Sequence, residues 1–350
     1  MFVLATSVFA QTTADEWFKK ACEYFDKGDY ANAITAYSEA IKRGSTNLNA
    51  YFVRGIAYLQ VKNYDAAIAD CDTVIKGEPD FSRVYVVRGD AYGAKGVYHK
   101  AVTDFKTGLE KGYDPSGFSV DKSSKADMWF CGAMYMEIAV NRFLGKSDVV
   151  AKYENWLKTV SDKNKVTRAE IEKFYRDNVR SLIAAVVDEE FNKVWTPFLD
   201  RVPNVTLARN PKNGQYTLRY WKPGTGDMII TTNSLDLLLS EMRNGTNRAD
   251  FTPAGLDAVR SMADVIPAVY YEKNNLRILS LVMDRIVNFF QTPNQANYNL
   301  VKSIYIDFNN EAANSPDSIL FKAEWNSLRN TLRNLPYNLT EKIESEVTRR

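Results

Sequence analysis

A period of 34 residues organises the first third of the chain. Aromatic, glycine and alanine positions return at this spacing in three successive stretches. The recurring residues are Trp17, Ala21, Tyr24, Tyr30, Ala33 and Tyr37 in the first stretch; Tyr51, Gly55, Tyr58, Tyr64, Ala67 and Cys71 in the second; and Tyr85, Gly89, Tyr92, Tyr98, Ala101 and Phe105 in the third. A fixed period of this size is typical of helical hairpins that stack on one another. It favours an interaction protein over a globule with a catalytic cleft.

Small residues recur where the two helices of a hairpin are expected to approach each other. In the first hairpin these helices are predicted at residues 14–27 and 30–43, with Gly28 and Asp29 forming the turn between them. A large side chain at a close crossing would hold the two backbones apart. Two repeat positions therefore carry only small residues: Ala21, Gly55 and Gly89 on the first helix, and Ala33, Ala67 and Ala101 on the second.

The spacing and the residue types resemble the tetratricopeptide repeat (TPR). The match places three contiguous units at residues 14–47, 48–81 and 82–115, which together cover 102 of the 350 residues. Pro79 also stands where that family often has proline. The resemblance implies an N-terminal α-solenoid of three repeats, and it identifies the fold more closely than the function.

Units two and three each carry an arginine and an aspartate 16 residues apart: Arg54 with Asp70, and Arg88 with Asp104. Unit one has Lys20 and Ala36 at the same positions. The spacing predicts an ion pair between the two helices of a unit. We expect this pair to be structural and half-exposed, with a contribution of about 0–1 kcal/mol.

The first helix of each unit lines the concave face in proteins of this family, so the resemblance implies a partner-binding surface there. The predicted partner-binding residues, called the groove below, are Phe18, Lys19, Cys22 and Phe25 in unit one; Asn49, Phe52, Val53, Ile56 and Leu59 in unit two; and Arg83, Val86, Val87 and Asp90 in unit three. Most of these side chains are apolar.

The groove departs from the best-known peptide-binding version of the family, which grips a C-terminal carboxylate with lysine, asparagine and arginine side chains. The corresponding residues here are Phe18, Cys22, Val53, Arg83 and Val87, of which only Arg83 keeps the charge. A carboxylate clamp is therefore not expected. Two explanations of the apolar surface stay open: helices after Ser124 fill it, or an apolar peptide or partner helix docks in it. Val53→Glu should unfold the protein in the first case and abolish binding in the second.

A helical extension is predicted after the repeats, at residues 124–203. A loop from Asp114 to Lys125 precedes a helix at 126–144 that is apolar on nearly every side and should be buried. Residues 149–160 are predicted as its antiparallel partner, and a fourth, degenerate repeat stays open here. Thr167 and Glu170 form a capping box that opens the next long helix, whose acidic run at 188–190 is predicted to face solvent.

The pattern changes to period two after residue 204. Strands are predicted at 205–208, 215–221 and 227–232, with turns at Asn213-Gly214 and Pro223-Gly224-Thr225-Gly226. The expected fold class is mainly α: the TPR α-solenoid, then a helical region with a small three-stranded antiparallel β-meander at about 205–232, inside an α+β region from 204 to 350. The meander either decorates the helical body or offers a docking edge. Further helices are predicted from Ser234, from Thr252-Pro253, and at 278–290, 300–308, 319–335 and 340–350.

The first ten residues are apolar, with Val8 and Ala10 at the two positions that signal peptidase reads. The basic segment that precedes such a stretch is missing, so we interpret residues 1–10 as a truncated signal peptide and expect export to a bacterial periplasm. A cytoplasmic location is the alternative. The cysteines, Cys22, Cys71 and Cys131, are far apart and odd in number, which argues against a disulfide framework and predicts buried thiols.

Composition and motifs indicate no catalytic chemistry. Lys and Arg number 45 against 43 Asp and Glu, a balance that does not favour nucleic acid as a partner. His99 is the only histidine and lacks a placed nucleophile, metal-ligand spacing is absent, and Gly224-Thr225-Gly226 lacks the rest of a phosphate loop. No apolar run has the length of a membrane span.

We therefore expect neither an enzyme nor a cofactor or metal site. The leading hypothesis is a TPR scaffold that binds a protein or peptide partner through an apolar concave groove. The alternatives are an apolar small-molecule or lipid-binding module and a cytosolic scaffold.

Overall fold

A computed structural model describes residues 13–199, 205–209, 215–222, 226–232, 275–314 and 319–348 of the chain. The chain divides into two compact units, Met1–Tyr135 with Tyr153–Ile171 and Met136–Lys152 with Glu172–Arg350. The domain bounds expected from the sequence at 115, 124 and 203 stay predictions. The expected signal peptide at 1–10 lies outside the described residues.

Six helices form the three predicted hairpins in the first compact unit. They are α1 (Ala14–Asp26), α2 (Tyr30–Lys42), α3 (Leu48–Gln60), α4 (Tyr64–Gly77), α5 (Ser82–Ala94) and α6 (Tyr98–Glu110). Each odd-numbered helix packs against the even-numbered helix that follows it, and α2 contacts α3 as α4 contacts α5. The predicted α-solenoid is confirmed.

Side chains cap the helices of the first two repeats. The capping residues are Thr13, Asp29, Asn47 and Asn63, each of which accepts a hydrogen bond from a backbone N–H in the first turn. At α1 the cap is reciprocal, because Glu16 Oε2 also accepts from the Thr13 N–H at 2.8 Å. Gly28 adopts φ +74° at the α1–α2 turn, in the left-handed region that glycine enters without strain.

The small repeat positions are buried at the helix crossings, as predicted. A Cβ added at Gly89 would lie 2.5 Å from Cε1 of Phe105, so only glycine fits between α5 and α6. At Gly55, between α3 and α4, the nearest atom would be Cβ of Asp70 at 3.5 Å, which is ordinary contact. The same repeat position is therefore tight in unit three and roomy in unit two.

Aromatic packing extends the core of the first compact unit beyond the repeats. Phe130 of the next helix packs against Phe105, with ring centroids 5.2 Å apart, and stacks on Phe118 at 3.8 Å. The predicted capping box is confirmed, since Glu170 Oε2 accepts from the Thr167 N–H at 2.7 Å and the Glu170 N–H donates to Thr167 Oγ1 at 3.2 Å. The helices that follow the 3₁₀ turn at Pro115–Gly117 are α7 (Lys125–Phe143), α8 (Ser147–Asn164) and α9 (Arg168–Leu199), and the predicted burial of α7 is confirmed.

The second compact unit, Met136–Lys152 with Glu172–Arg350, holds four further helices and an aromatic cluster. Phe143 packs against Phe289 and Tyr298, with ring centroids 5.5 and 5.7 Å apart. The Tyr175 hydroxyl donates to the Phe290 carbonyl at 2.9 Å. These helices are α10 (Asn275–Gln291), α11 (Gln295–Asn314), α12 (Ile319–Asn334) and α13 (Leu339–Val347), whereas the helices predicted from Ser234 and Thr252 lie outside the described residues.

The acidic run at 188–190 does not form the solvated face that the sequence predicts. Glu190 is 3% exposed. Its Oε1 accepts hydrogen bonds from Lys193 Nζ at 2.7 Å and from Asn334 Nδ2 at 2.8 Å. The prediction is wrong for this residue because the asparagine that satisfies it lies 144 positions away, beyond the reach of a local pattern.

The expected fold class also needs correction. Thirteen α-helices make up nearly all of the regular structure in the described ranges, so the class that the structure supports is α-helical, and a β-meander does not belong in its definition. Period-two alternation predicts that a short segment is extended, but it does not show that a sheet forms a layer of the core. The short strands are β1 (Val205–Arg209), β2 (Tyr216–Lys222) and β3 (Gly226–Thr232), which pair antiparallel in that order. Residues 213–214 and 223–225, where turns are predicted, lie outside the described residues.

Candidate functional site: the groove on helices α1, α3 and α5

The predicted groove residues all lie on α1, α3 and α5, the first helix of each repeat. Helices α3 and α5 contact each other directly, in addition to their contacts with α4. Equivalent repeat positions therefore follow one another from helix to helix. Cys22, Ile56 and Asp90 form one such series.

The thirteen groove residues differ in exposure. Three polar residues are exposed, seven residues are partly exposed and three apolar residues are buried. The exposed residues are Lys19, Asn49 and Arg83. The partly exposed residues are Phe18, Cys22, Phe25, Val53, Ile56, Leu59 and Asp90. The buried residues are Phe52, Val86 and Val87.

The buried groove residues have a packing role inside the solenoid. Phe52 and Val87 belong to the core between units two and three, together with Cys71 and Val74. Their exposed fractions are only 5% and 8%. The apolar side chains that keep contact with solvent are therefore fewer than the sequence pattern suggests.

The partly exposed apolar residues are held in place by aromatic neighbours. Phe18 packs edge-on against Tyr37 and Phe25 against Tyr30, with ring centroids 5.7 and 5.5 Å apart. Val53 touches the hydrophobic cores of both unit one and unit two. A charge placed at Val53 would therefore disturb two cores, whereas Leu59 packs against the core between units two and three alone.

The cysteines are free thiols, and two of them are buried as predicted. Burial raises the pKa of both Cys71 and Cys131 to about 12, so neither is a thiolate at neutral pH. Cys22 differs from the prediction, because it is only half-buried and its Sγ accepts a hydrogen bond from the Tyr37 hydroxyl at 3.4 Å. Burial raises the pKa of Tyr37, which keeps that hydroxyl a donor.

The Arg54–Asp70 pair forms as predicted, but deeper than expected. Arg54 Nε and Nη2 donate to Asp70 Oδ2 and Oδ1 at 2.8 and 2.7 Å, and Asp70 is only 5% exposed. Arg54 Nη1 also donates to Ser38 Oγ in the preceding unit at 2.9 Å. The expected half-exposure is therefore wrong, and the pair links two repeats as well as two helices.

Unit three repeats this arrangement, but its arginine reaches a carboxylate of the preceding unit instead of a hydroxyl group. Arg88 donates to both carboxylate oxygens of Asp104 at 2.8 and 2.7 Å, and its Nη1 reaches Asp72 Oδ1 of unit two at 2.6 Å. Asp104 is 3% exposed. Burial raises the pKa of Asp104, and the hydrogen bonds from Arg88 oppose that rise. The inner carboxylates of units two and three are thus fully paired.

Asp90 is the acidic residue of the groove, and it lacks such a partner. It makes no hydrogen bond or salt bridge with any residue in the ranges that the structure describes. Helix α5 crosses α7 three residues later, where a Cβ on Gly93 would lie 2.5 Å from Cβ of Ala126. That crossing brings Asp127 close to Asp90. Burial, with the charge of Asp127, raises the pKa of Asp90 to about 8.

Sequence reasoning missed Asp127 and Tyr113 as neighbours of the groove. Asp127 accepts hydrogen bonds from the Asp121 N–H at 2.8 Å and from Ser124 Oγ at 3.0 Å, so its carboxylate is held at the start of α7. Burial and the charge of Asp90 raise the pKa of Tyr113. The pattern Ser124-x-x-Asp127 signals a helix start, but nothing in it reveals that this helix crosses α5.

Other parts of the described chain offer little chemistry. The described residues contain no cluster of His, Cys, Asp and Glu suited to a metal ion, and none of their helices has the length and apolarity of a membrane span. A cavity of about 680 Å³ lies between the end of α8 and the start of α9. Four of its charged lining residues pair with one another, Lys158 with Asp162 at 2.6 Å and Arg168 with Glu154 at 2.5 Å.

Comparisons with known proteins point to the same repeat. A family model described as tetratricopeptide repeat matches residues 18–80, and no curated protein matches the chain. Similar solved structures include the first TPR of Spaghetti (RPAP3) bound to the HSP90 peptide SRMEEVD, with 26% identity, a TM-score of 0.28 and coverage of 30% of this chain and 82% of that one.

Two further structures are similar over comparable shares. The TPR2B-domain:pHsp70 complex of yeast Sti1 is 30% identical with a TM-score of 0.29, covering 35% of this chain and 96% of that one. MamA is 19% identical with a TM-score of 0.32, covering 43% and 80%. The family match, on residues that fold into paired helices in the 34-residue register, identifies the chain as a tetratricopeptide repeat protein.

Proposed function

We propose that this chain is a non-enzymatic scaffold that binds a protein partner, in the form of a peptide segment or helix, through the groove on α1, α3 and α5. The observation that carries the proposal is the row of apolar side chains that stay partly exposed after the repeats have packed. These are Phe18, Cys22, Phe25, Val53, Ile56 and Leu59. Apolar side chains that line up on one face, rather than being scattered singly, are typical of an interaction site.

The groove supports a peptide chemistry different from that of a carboxylate clamp. The peptide bound to the first TPR of Spaghetti, SRMEEVD, ends in acidic residues. The clamp positions of this chain offer apolar side chains and one cation, Arg83, whose guanidinium lies over the Phe52 ring at 5.9 Å from its centroid. We therefore propose a partner segment with apolar anchors, for which burial of side chains supplies the affinity.

A pair of matched substitutions tests this proposal. Leu59→Glu places a charge on the groove, and Val61→Glu places the same charge two residues later, at a turn position that is 44% exposed. Random twelve-residue peptides displayed on phage are selected against the parent protein, and the affinity of enriched peptides is measured by fluorescence polarisation. We expect Leu59→Glu to weaken binding at least tenfold and Val61→Glu to leave it unchanged, with both variants folded by circular dichroism.

Two results would count against a peptide-binding groove. One is a selection that enriches no peptide, and the other is an equal loss of affinity in both variants. Native mass spectrometry of the purified protein provides a separate measurement. A co-purifying apolar small molecule, lost in Leu59→Glu, would support the lipid or small-molecule alternative instead.

We also propose that the protein is exported, on the basis of the apolar residues 1–10. The support is the combination of a short apolar run with Val8 and Ala10 at the positions that signal peptidase reads. N-terminal sequencing of protein isolated from its native cells tests this proposal. A mature chain that begins at Gln11 is the expected result, and a chain that retains Met1 would favour the cytoplasmic alternative.

A further inference from the structure

We propose that the partner segment carries a basic side chain next to its apolar anchors, and that Asp90 binds this basic side chain at the unit-three end of the groove. The inference rests on the proposed function of the groove and specifies the class of peptide that it accepts. It follows from a change of chemistry along the groove, from the lack of a partner for Asp90, and from the charges around it.

The chemistry of the groove changes from unit one to unit three. At one repeat position the three units carry Cys22, Ile56 and Asp90, all partly exposed. The first two continue the apolar row, and the third places a carboxylate at its end. A segment that lies along this row meets apolar surface first and the Asp90 carboxyl group last, so the complementary segment has a basic residue at one end of its apolar anchors.

No cation of the chain in the described ranges neutralises Asp90. Arg83 lies seven residues earlier on α5, which corresponds to about 10.5 Å along a helix. Its guanidinium lies over the Phe52 ring and its charge acts on Tyr113, while the charge that acts on Asp90 is that of Asp127. The carboxylate that does lie close, that of Asp127 on α7, adds a second negative charge. The site therefore holds two carboxyl groups and no cation within the described ranges, and a ligand cation would favour the ionised form of Asp90.

The contrast with Asp104 shows that this arrangement is local to the groove. Asp104 lies on the neighbouring helix α6 and receives two hydrogen bonds from Arg88. Asp90 stays partly exposed, with burial and Asp127 raising its pKa to about 8, so ionising it costs free energy in the unbound protein. A lysine or arginine side chain of a partner would recover that free energy on binding, and a neutral side chain would not.

The experiment uses one enriched peptide in several versions, measured against two protein variants. The peptide is acetylated and amidated, so that its termini carry no charge, and its basic residue is replaced by norleucine or by glutamate. The full-length protein carries Asp90→Asn or, as a matched control, Asp26→Asn, which removes an exposed carboxylate of α1. Affinities are measured by isothermal titration calorimetry.

We expect norleucine to weaken binding to the parent protein about tenfold or more, and glutamate to weaken it further. Asp90→Asn should weaken binding of the basic peptide by a similar factor and leave the affinity for the norleucine peptide within twofold. The variant therefore loses the preference for a cation. Asp26→Asn should keep that preference. The peptide substitutions need no protein variant, so they test the inference even if Asp90→Asn folds poorly.

Two outcomes separate this inference from the proposed function. Peptides that bind with Leu59 dependence but show equal affinity for the basic and norleucine versions overturn the role of Asp90 and leave the groove intact. A selection that yields no Leu59-dependent peptide overturns the groove itself. Loss of the cation preference in Asp90→Asn, with the preference retained in Asp26→Asn, supports the inference.

Discussion

The two faces of helix α5 treat charge in opposite ways. On the inner face, Arg88 pairs with the buried Asp104, and Gly89 lets the Phe105 ring approach the backbone. On the groove face, the next residue, Asp90, has no hydrogen bond or ion pair within the described ranges. The carboxylate on the inner face is paired within the chain, while the carboxyl group on the groove face has no cation beside it in the described ranges. The residue type alone therefore does not distinguish a structural aspartate from a candidate binding aspartate.

Arg88→Ala should have the largest effect, because it breaks the inner face. The substitution leaves the Asp104 carboxylate 3% exposed with no cation. Removing one partner of a buried pair costs about 3–5 kcal/mol, since the remaining charge stays desolvated. We expect a fall of that size in the free energy of unfolding, measured by urea titration at pH 7.

Two controls distinguish burial from charge in that result. Lys111→Ala removes a cation whose partner, Asp80, is 93% exposed, and it should cost much less than Arg88→Ala because solvent screens the pair. The double variant Arg88→Met with Asp104→Leu removes both inner charges and should recover much of the loss. Similar losses for Arg88→Ala and Lys111→Ala would show that the inner pair is not effectively buried.

Gly89→Ala tests the same face by shape instead of charge. The new Cβ would lie 2.5 Å from the fully buried Phe105 ring and 3.3 Å from the Ala101 carbonyl. Such overpacking costs about 1–3 kcal/mol. The matched substitution in unit two, Gly55→Ala, meets its nearest atom at 3.5 Å and should stabilise by about 0.5–1 kcal/mol through helix propensity.

Thermal unfolding followed by circular dichroism measures both glycine variants. Opposite signs for the two changes confirm that equivalent repeat positions are packed differently in units two and three. Equal changes would mean that the Phe105 ring moves aside without cost.

The 34-residue period predicted most of the inner face. It placed the six helices, the small crossing residues and both Arg–Asp pairs, because these features depend on spacing within one unit. It did not predict the contacts of Arg54 with Ser38 or of Arg88 with Asp72, which join successive units. Those contacts depend on how one hairpin stacks on the next, and the spacing within a unit does not encode it.

The groove was less predictable than the inner face. The resemblance named its thirteen positions, but Phe52 and Val87 are used in packing between units, which only the stacked structure reveals. The neighbour that most affects Asp90 is Asp127, from a helix outside the repeats. A charge is perturbed by everything that surrounds it in space, so its environment cannot be inferred from the repeat pattern alone.

Asp90→Asn should have the opposite sign to Arg88→Ala, because it removes a carboxyl group that has no cation beside it in the described ranges. The pKa of this aspartate is about 8 in the folded protein against 3.8 for an ordinary aspartate. The folded state therefore holds the proton more tightly than the unfolded chain, so the contribution of this group is full below about pH 4 and is lost as pH rises to about 8. Asparagine carries no charge and removes that loss.

The expected gain for Asp90→Asn is near zero at pH 4 and grows with pH up to about pH 8, by at most about 1.4 kcal/mol per pH unit. Urea unfolding of parent and variant from pH 4 to pH 8.5 measures the difference. The groups close enough to alter this profile are Asp127 on α7 and Tyr113 after α6, so Asp127→Asn should flatten the parent profile in part. A difference that does not change with pH would mean that Asp90 is ionised and solvated like an ordinary surface aspartate, and the contrast between the two faces of α5 would then be one of packing and not of charge.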